Sequence, residues 1–224
     1  MKNRIFIVCC SILLFWSSKA VYSQNHNIGN WLAYMGNQKI NSKWNFHNEI
    51  QLRNYNFIGD QNQLLIRLGI GHNISSNNNV LLGYAHVKTV VYTSSTDIKT
   101  SSIEHRIFQQ FLNKKKYKGY YISNRFRFEE RFFKNDFKLR LRYHFLFNKA
   151  LNKKEITNNA LYFSSYNEIF LNTQNNIFDR NRIYAGLGYA INNSIKFETG
   201  YMIQTLPERS QQQIQFILFN NLSF

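Results

Sequence analysis

The chain is 224 residues long, with 28 Lys and Arg against 12 Asp and Glu, a net charge of +16, aromatic residues at 17%, two cysteines and one proline. That length suits one domain. Both cysteines, Cys9 and Cys10, fall in an N-terminal leader, which excludes a disulfide framework and a cysteine-based metal site from the remainder.

Residues 1–23 read as a secretory signal peptide. Lys2 and Arg4 form its basic start, Ile5 to Trp16 its apolar stretch, and Val21-Tyr22-Ser23 a small-residue cleavage site. Loss of Lys2, Arg4 and Lys19 with the leader takes the charge from +16 to +13. In a soluble protein that charge would point to nucleic acid. Export argues against it and favours anionic lipopolysaccharide or solutes as partners. No later segment reaches the run of ~18 apolar residues that marks a spanning helix.

In the exported part, 24–224, hydrophobicity alternates instead. A first strand over Asn30 to Gln38 carries Trp31 and Tyr34. In Lys43 to Tyr55, Trp44, Phe46, Ile50 and Leu52 share one face, while His47, Glu49, Gln51 and Arg53 share the other. Gln63 to Ile74 sets Leu64, Ile66, Leu68 and Ile70 against Arg67, Gly69 and Gly71. Ser75 to Asn79 reads as a turn, Val80 to Val91 as a strand of weaker phase, and the Ser/Thr-rich stretch Tyr92 to Ser102 as a longer loop. Ile103 to Leu112 places Glu104, Arg106 and Gln110 together, and the cluster Lys114-Lys115-Lys116 with Lys118 reads as the next turn.

The clearest stretch is Tyr120 to Phe147, two long strands about a turn at Lys134-Asn135-Asp136. Ile122, Phe126 and Phe128 oppose Arg125, Arg127, Glu129 and Arg131; Leu139, Leu141, Tyr143 and Phe145 oppose Lys138, Arg140, Arg142 and His144. A period of two over this length means β-strand. After a polar connection, Asn148 to Asn159, come Leu161 to Leu171 with Tyr166 and Glu168, a loop over Asn172 to Arg180, Ile183 to Ile191, and Ile195 to Tyr201. The last strand, Gln213 to Phe224, carries Ile214, Phe216, Leu218, Leu222 and Phe224 on its apolar face. Pro207 lies outside the strands, as ladder bonding requires.

These segments predict an all-β fold, a single antiparallel transmembrane β-barrel of 10–12 strands. Twelve is preferred because single-chain bacterial barrels take even numbers. Alternation does not say which face is inside. Three features place the polar face there: the high strand number, the glycines Gly69, Gly71, Gly186, Gly188 and Gly200 on that face, and the aromatic terminal strand ending at Phe224. That terminal pattern resembles the recognition signal of outer-membrane barrels, which implies the barrel assembly machinery as a partner.

The chain resembles a family of Gram-negative outer-membrane barrel proteins defined only as a domain of unknown function. The matching features run in order. They are Trp31, Lys43-Trp44 with Glu49 and Arg53, Glu104-His105-Arg106 with Gln109-Gln110, Arg125 with Arg127, Arg140-Leu141-Arg142, Asn167-Glu168, and Arg182 before Gly186-Leu187-Gly188-Tyr189. The resemblance implies a barrel in the outer membrane among its lipids and lipopolysaccharide. It implies no activity.

The candidate site is the inward charge network: Glu49, Arg53, Glu104, Arg106, Arg125, Arg127, Glu129, Arg140, Arg142 and Glu168, with Arg67, Arg131 and Glu198 on the same face. Arginine forks cross-bracing carboxylates predict a plugged, ion-paired lumen. The alternative is a small anion-selective channel lined by the surplus arginines. A hydrolase is the third reading, with His105 beside Ser101, Ser102 or Ser123, or His47 near Glu49, as a base. No phosphate loop, metal-ligand spacing or nucleotide fingerprint is present, so no cofactor and no metal are expected.

Overall fold

The computed structural model describes residues 28–93, 98–174 and 176–223; the expected signal peptide and Phe224 lie outside the described residues. Eleven strands close one barrel. In chain order they are β1 (Gly29–Lys39), β2 (Trp44–Asn54), β3 (Gln61–Asn73), β4 (Asn78–Tyr92), β5 (Lys99–Tyr117), β6 (Tyr120–Phe132), β7 (Phe137–Ala150), β8 (Ala160–Asn172), β9 (Phe178–Ala190), β10 (Ile195–Thr205) and β11 (Ser210–Asn220). Each strand pairs antiparallel with its chain neighbours, and β1 closes on β11. That last pair is parallel, in register from Gly29↔Gln213 to Gly36↔Asn220. Eleven falls within the expected 10–12, but the barrel is mixed, not wholly antiparallel. An odd number of up-and-down strands leaves the first and last pointing the same way, and the slanted bonds of a parallel pair then join them.

Four expectations about boundaries change. The stretch from Tyr92 to Ser102 is not one long loop: β4 runs to Tyr92 and β5 begins at Lys99. Lys114, Lys115 and Lys116 are strand residues of β5, which runs 19 residues. The turn itself is Lys118-Gly119, with φ of 45° and 80°, between the paired Tyr117 and Tyr120. Two positive φ values make a primed turn, whose twist matches that of the strands it joins. Asp179 and Arg180 belong to β9 rather than to a loop, and β11 ends at Asn220, so Leu222 lies beyond it.

The faces divide sharply. Ile50, Ile66, Leu68, Leu82, Phe126, Leu141, Leu187 and Leu218 are exposed on the outer wall, whereas the charged residues alternating with them are buried inside. The interior is not uniformly polar. Trp31, Ala33, Tyr184, Met202 and Ile217 form an apolar cluster along the closing seam. At one mouth the 151–159 loop folds inward, so that Ile156 packs with Ala150, Ala160, Tyr162 and Ala190, and its N–H donates to Tyr121 OH at 3.1 Å. Gly186 and Gly188 make room for this filling, since a Cβ at either would collide with the rings of Tyr184 and Tyr162.

Candidate functional site

Strand alternation delivers the charges to the lumen, and cross-strand register decides which of them meet. Glu129 of β6 lies opposite Arg140 of β7, and Arg127 opposite Arg142. Arg140 therefore donates to Glu129 Oε2 from Nε at 3.0 Å and from Nη2 at 2.5 Å. Arg142 Nη1 donates to Glu129 Oε1 at 2.5 Å. Arg142 also bridges to the next carboxylate, its Nη2 reaching Glu168 Oε1 at 2.6 Å. Glu168 in turn accepts from Arg125 Nη2 at 2.8 Å and has Arg182 Nη1 at 3.5 Å. Asp179 extends the chain, accepting from Arg140 Nη1 at 2.8 Å.

A second cluster sits on β5 and β6. Arg106 holds Glu104 in a two-pronged grip, Nε to Oε1 at 2.6 Å and Nη2 to Oε2 at 2.8 Å. Arg131 Nε adds a bond to Oε1 at 2.5 Å. A third cluster joins β2 and β3, where Arg67 donates to Glu49 and His47 Nε2 stands 3.4 Å from the same carboxylate. Planar guanidinium forks suit this role, because each satisfies two oxygens and leaves a face free to stack. Aromatic posts take those faces. Phe170 lies under Arg142 at 4.4 Å and Arg182 at 4.5 Å, Phe108 under Arg127 at 4.5 Å, and Trp31 under Arg53 at 3.8 Å. Glu198 stands apart from the arginines and accepts from Tyr162 OH at 3.1 Å.

Residues 28–215 match the family model described as "Protein of unknown function (DUF2490)". The chain belongs to this family. The resemblance drawn from the order of its motifs thus holds for membership of an uncharacterised barrel family. A search of curated proteins found no match. A search of solved structures found none either.

Of the ten candidate residues in this family member, Arg53 and Arg127 stand out because amides, not carboxylates, are their close partners. Arg53 Nη2 donates to Gln51 Oε1 at 2.7 Å. Arg127 donates to Gln110 Oε1 from Nη2 at 2.6 Å and comes only within 3.8 Å of Glu129. The charge network expected from the sequence leaves out these glutamines, Arg182, Asp179 and the stacking rings. Alternation did place Gln51 and Gln110 on the charged faces; nothing local marks Phe108 or Phe170 as posts for arginines of other strands.

His105 is held apart from Ser102 and Ser123, which line the lumen. His105 lies on the outer wall, its Nδ1 2.5 Å from Tyr84 OH, across from His86. Ser102 belongs to the opposite face of β5 by alternation. His47 faces the lumen between Asn37 and Gly69. At the rim, Lys99 and Tyr92 both donate to Asp60, at 2.7 and 2.5 Å, and Lys99 first and Tyr92 second hold that carboxyl below its ordinary range.

Proposed function

We propose that the chain is an integral outer-membrane β-barrel whose lumen is braced by its own ion pairs and narrowed by apolar filling. The observation that carries this is the inversion of faces: exposed aliphatic and aromatic side chains cover the outer wall, and charged ones fill the inside. In water, an apolar wall around a whole barrel is a large unfavourable surface. In a bilayer it is the favoured one, and a closed ladder leaves no strand edge unpaired in lipid. The secretory leader read from the sequence supports export to that membrane.

The bracing and narrowing of the lumen have their own support. Carboxylates are braced by arginines from neighbouring strands, the seam side is packed with Trp31, Tyr184, Met202 and Ile217, and Ile156 folds over one mouth. The role that suits these features is an anchored barrel. Its basic rim, with Lys114, Lys115, Lys116, Lys118, Lys153 and Lys154 on β5, its turn and the 151–159 loop, meets lipopolysaccharide or anionic headgroups. The final strand is the element offered to the barrel assembly machinery. The protein is expected to fractionate with outer membranes and to resist alkaline and high-salt extraction. Recovery in the soluble periplasmic fraction would refute the reading.

A further inference from the structure

Arg53 is the exception in the lumen. Among the described residues, the other buried arginines, Arg67, Arg106, Arg127, Arg140, Arg142 and Arg182, each have a carboxylate within ion-pair distance. Arg53 is 8% exposed, and its side-chain acceptor is the neutral Gln51, which donates onward to Glu49. The charges that weigh most on Arg53 are those of Arg182, Arg180, Arg106 and Arg142, all positive. A buried guanidinium among cations is expensive without a counter-charge.

Around Arg53, the amide oxygens of Gln51 and Gln215 are already engaged, and several donors are not. Arg53 stands over Trp31 at 3.8 Å, and Arg182 stands 5.0 Å from the same ring. Arg53 Nε, Trp31 Nε1 and Gln215 Nε2 are buried N–H groups without a hydrogen-bond partner. Register brings the three together, since Trp31 lies opposite Arg53 on one side and opposite Gln215 across the parallel seam on the other. All of these residues line one lumen cavity of about 860 Å³.

We infer that the seam side of this lumen cavity binds a small oxyanion, the carboxylate or phosphate group of a free solute, held by Arg53 and Arg182 with Trp31 and Gln215 donating at its edge. A two-pronged guanidinium and two further N–H donors match an anion with several oxygens better than a monatomic one. The inference rests on the geometry of the lumen and not on the placement of the barrel in a membrane.

Trp31 is itself the reporter. In the detergent-purified full chain, with Trp16 and Trp44 replaced by Phe so that Trp31 alone of the 3 tryptophans remains, inorganic phosphate and acetate are titrated against chloride at constant ionic strength. The expected result is a saturable change in Trp31 fluorescence, with Arg53→Gln and Arg182→Gln each weakening it at least about tenfold and Lys138→Gln on the exposed β7 end leaving it unchanged. Thermal stability gives a second readout. Wild type gains stability with phosphate; Arg53→Gln, having lost the uncompensated charge, matches wild type in phosphate-free buffer and gains nothing from phosphate. Should Arg53→Gln fail to fold, Arg182→Gln carries the same expectation for binding. Absence of a saturable response in wild type, an undiminished wild-type response in both arginine variants, or chloride acting as well as the oxyanions would overturn the inference.

Discussion

Glu129→Gln is expected to remove about 3–5 kcal/mol of folding stability. Glu129 is 0% exposed, and its two oxygens accept from Arg140 and Arg142 with Arg127 close by. Glutamine keeps the shape, removes the charge and turns one acceptor into a donor facing a guanidinium. The arginines are then buried without compensation, and that penalty makes the loss large. Glu168→Gln follows the same logic, since Glu168 accepts from Arg125 and Arg142. Glu155→Gln is the control. Its partner Lys116 is 2.6 Å away, but both side chains are about half exposed, 49% and 47%, so water screens the pair and its loss leaves stability near that of wild type. Urea unfolding read by heat-modifiable gel mobility measures all three. Near-wild-type stability in both lumen variants would mean water screens the pairs, and would favour an open, arginine-lined anion passage.

Leu141→Arg is the second large effect, expected to cost roughly 2–4 kcal/mol in lipid vesicles. Leu141 is 48% exposed on the outer wall, in register with Phe128 of β6 and Leu171 of β8. On the proposed lipid-facing wall, the substitution adds a charge at an apolar site without a partner. On a wall facing water the same change would stay within about 0.5 kcal/mol. The comparison therefore separates lipid contact from mere exposure, with urea unfolding in vesicles as the measurement.

Much of the fold was legible because alternation is a local property. The β6–β7 hairpin is readable from Tyr120 to Phe147, since Arg125, Arg127, Arg140 and Arg142 recur at every second position. Closure is not local. No feature of Gly29–Lys39 or Ser210–Asn220 announces that the two strands pair in parallel, so an even count was the natural preference. A run of like charges at Lys114 to Lys116 breaks the alternation and so reads as a turn; a strand that extends past the apolar wall has water on both faces and need not alternate there. Ile156, in a loop of polar residues, gives no hint that it packs into the mouth.

The site divides in the same way. The face carried by each charged residue follows from its position in the strand. The partner of each arginine depends on register between strands, and for Trp31, Arg53 and Arg182 on a seam that joins β1 to the far end of the chain. The glutamines that replace carboxylates at Arg53 and Arg127 follow no spacing rule, and they make those two arginines unlike their neighbours.

The facing of β7 in lipid is the most direct test of the account. With the leader residues Cys9 and Cys10 replaced by serine, single cysteines carrying a spin label at Leu139, Leu141, Tyr143 and Phe145 are compared with His144 and Leu146 in reconstituted vesicles. The account predicts strong broadening by dissolved oxygen at the first four positions and little at His144 and Leu146, repeating every second residue. Equal accessibility on both faces, or the opposite phase, would contradict it.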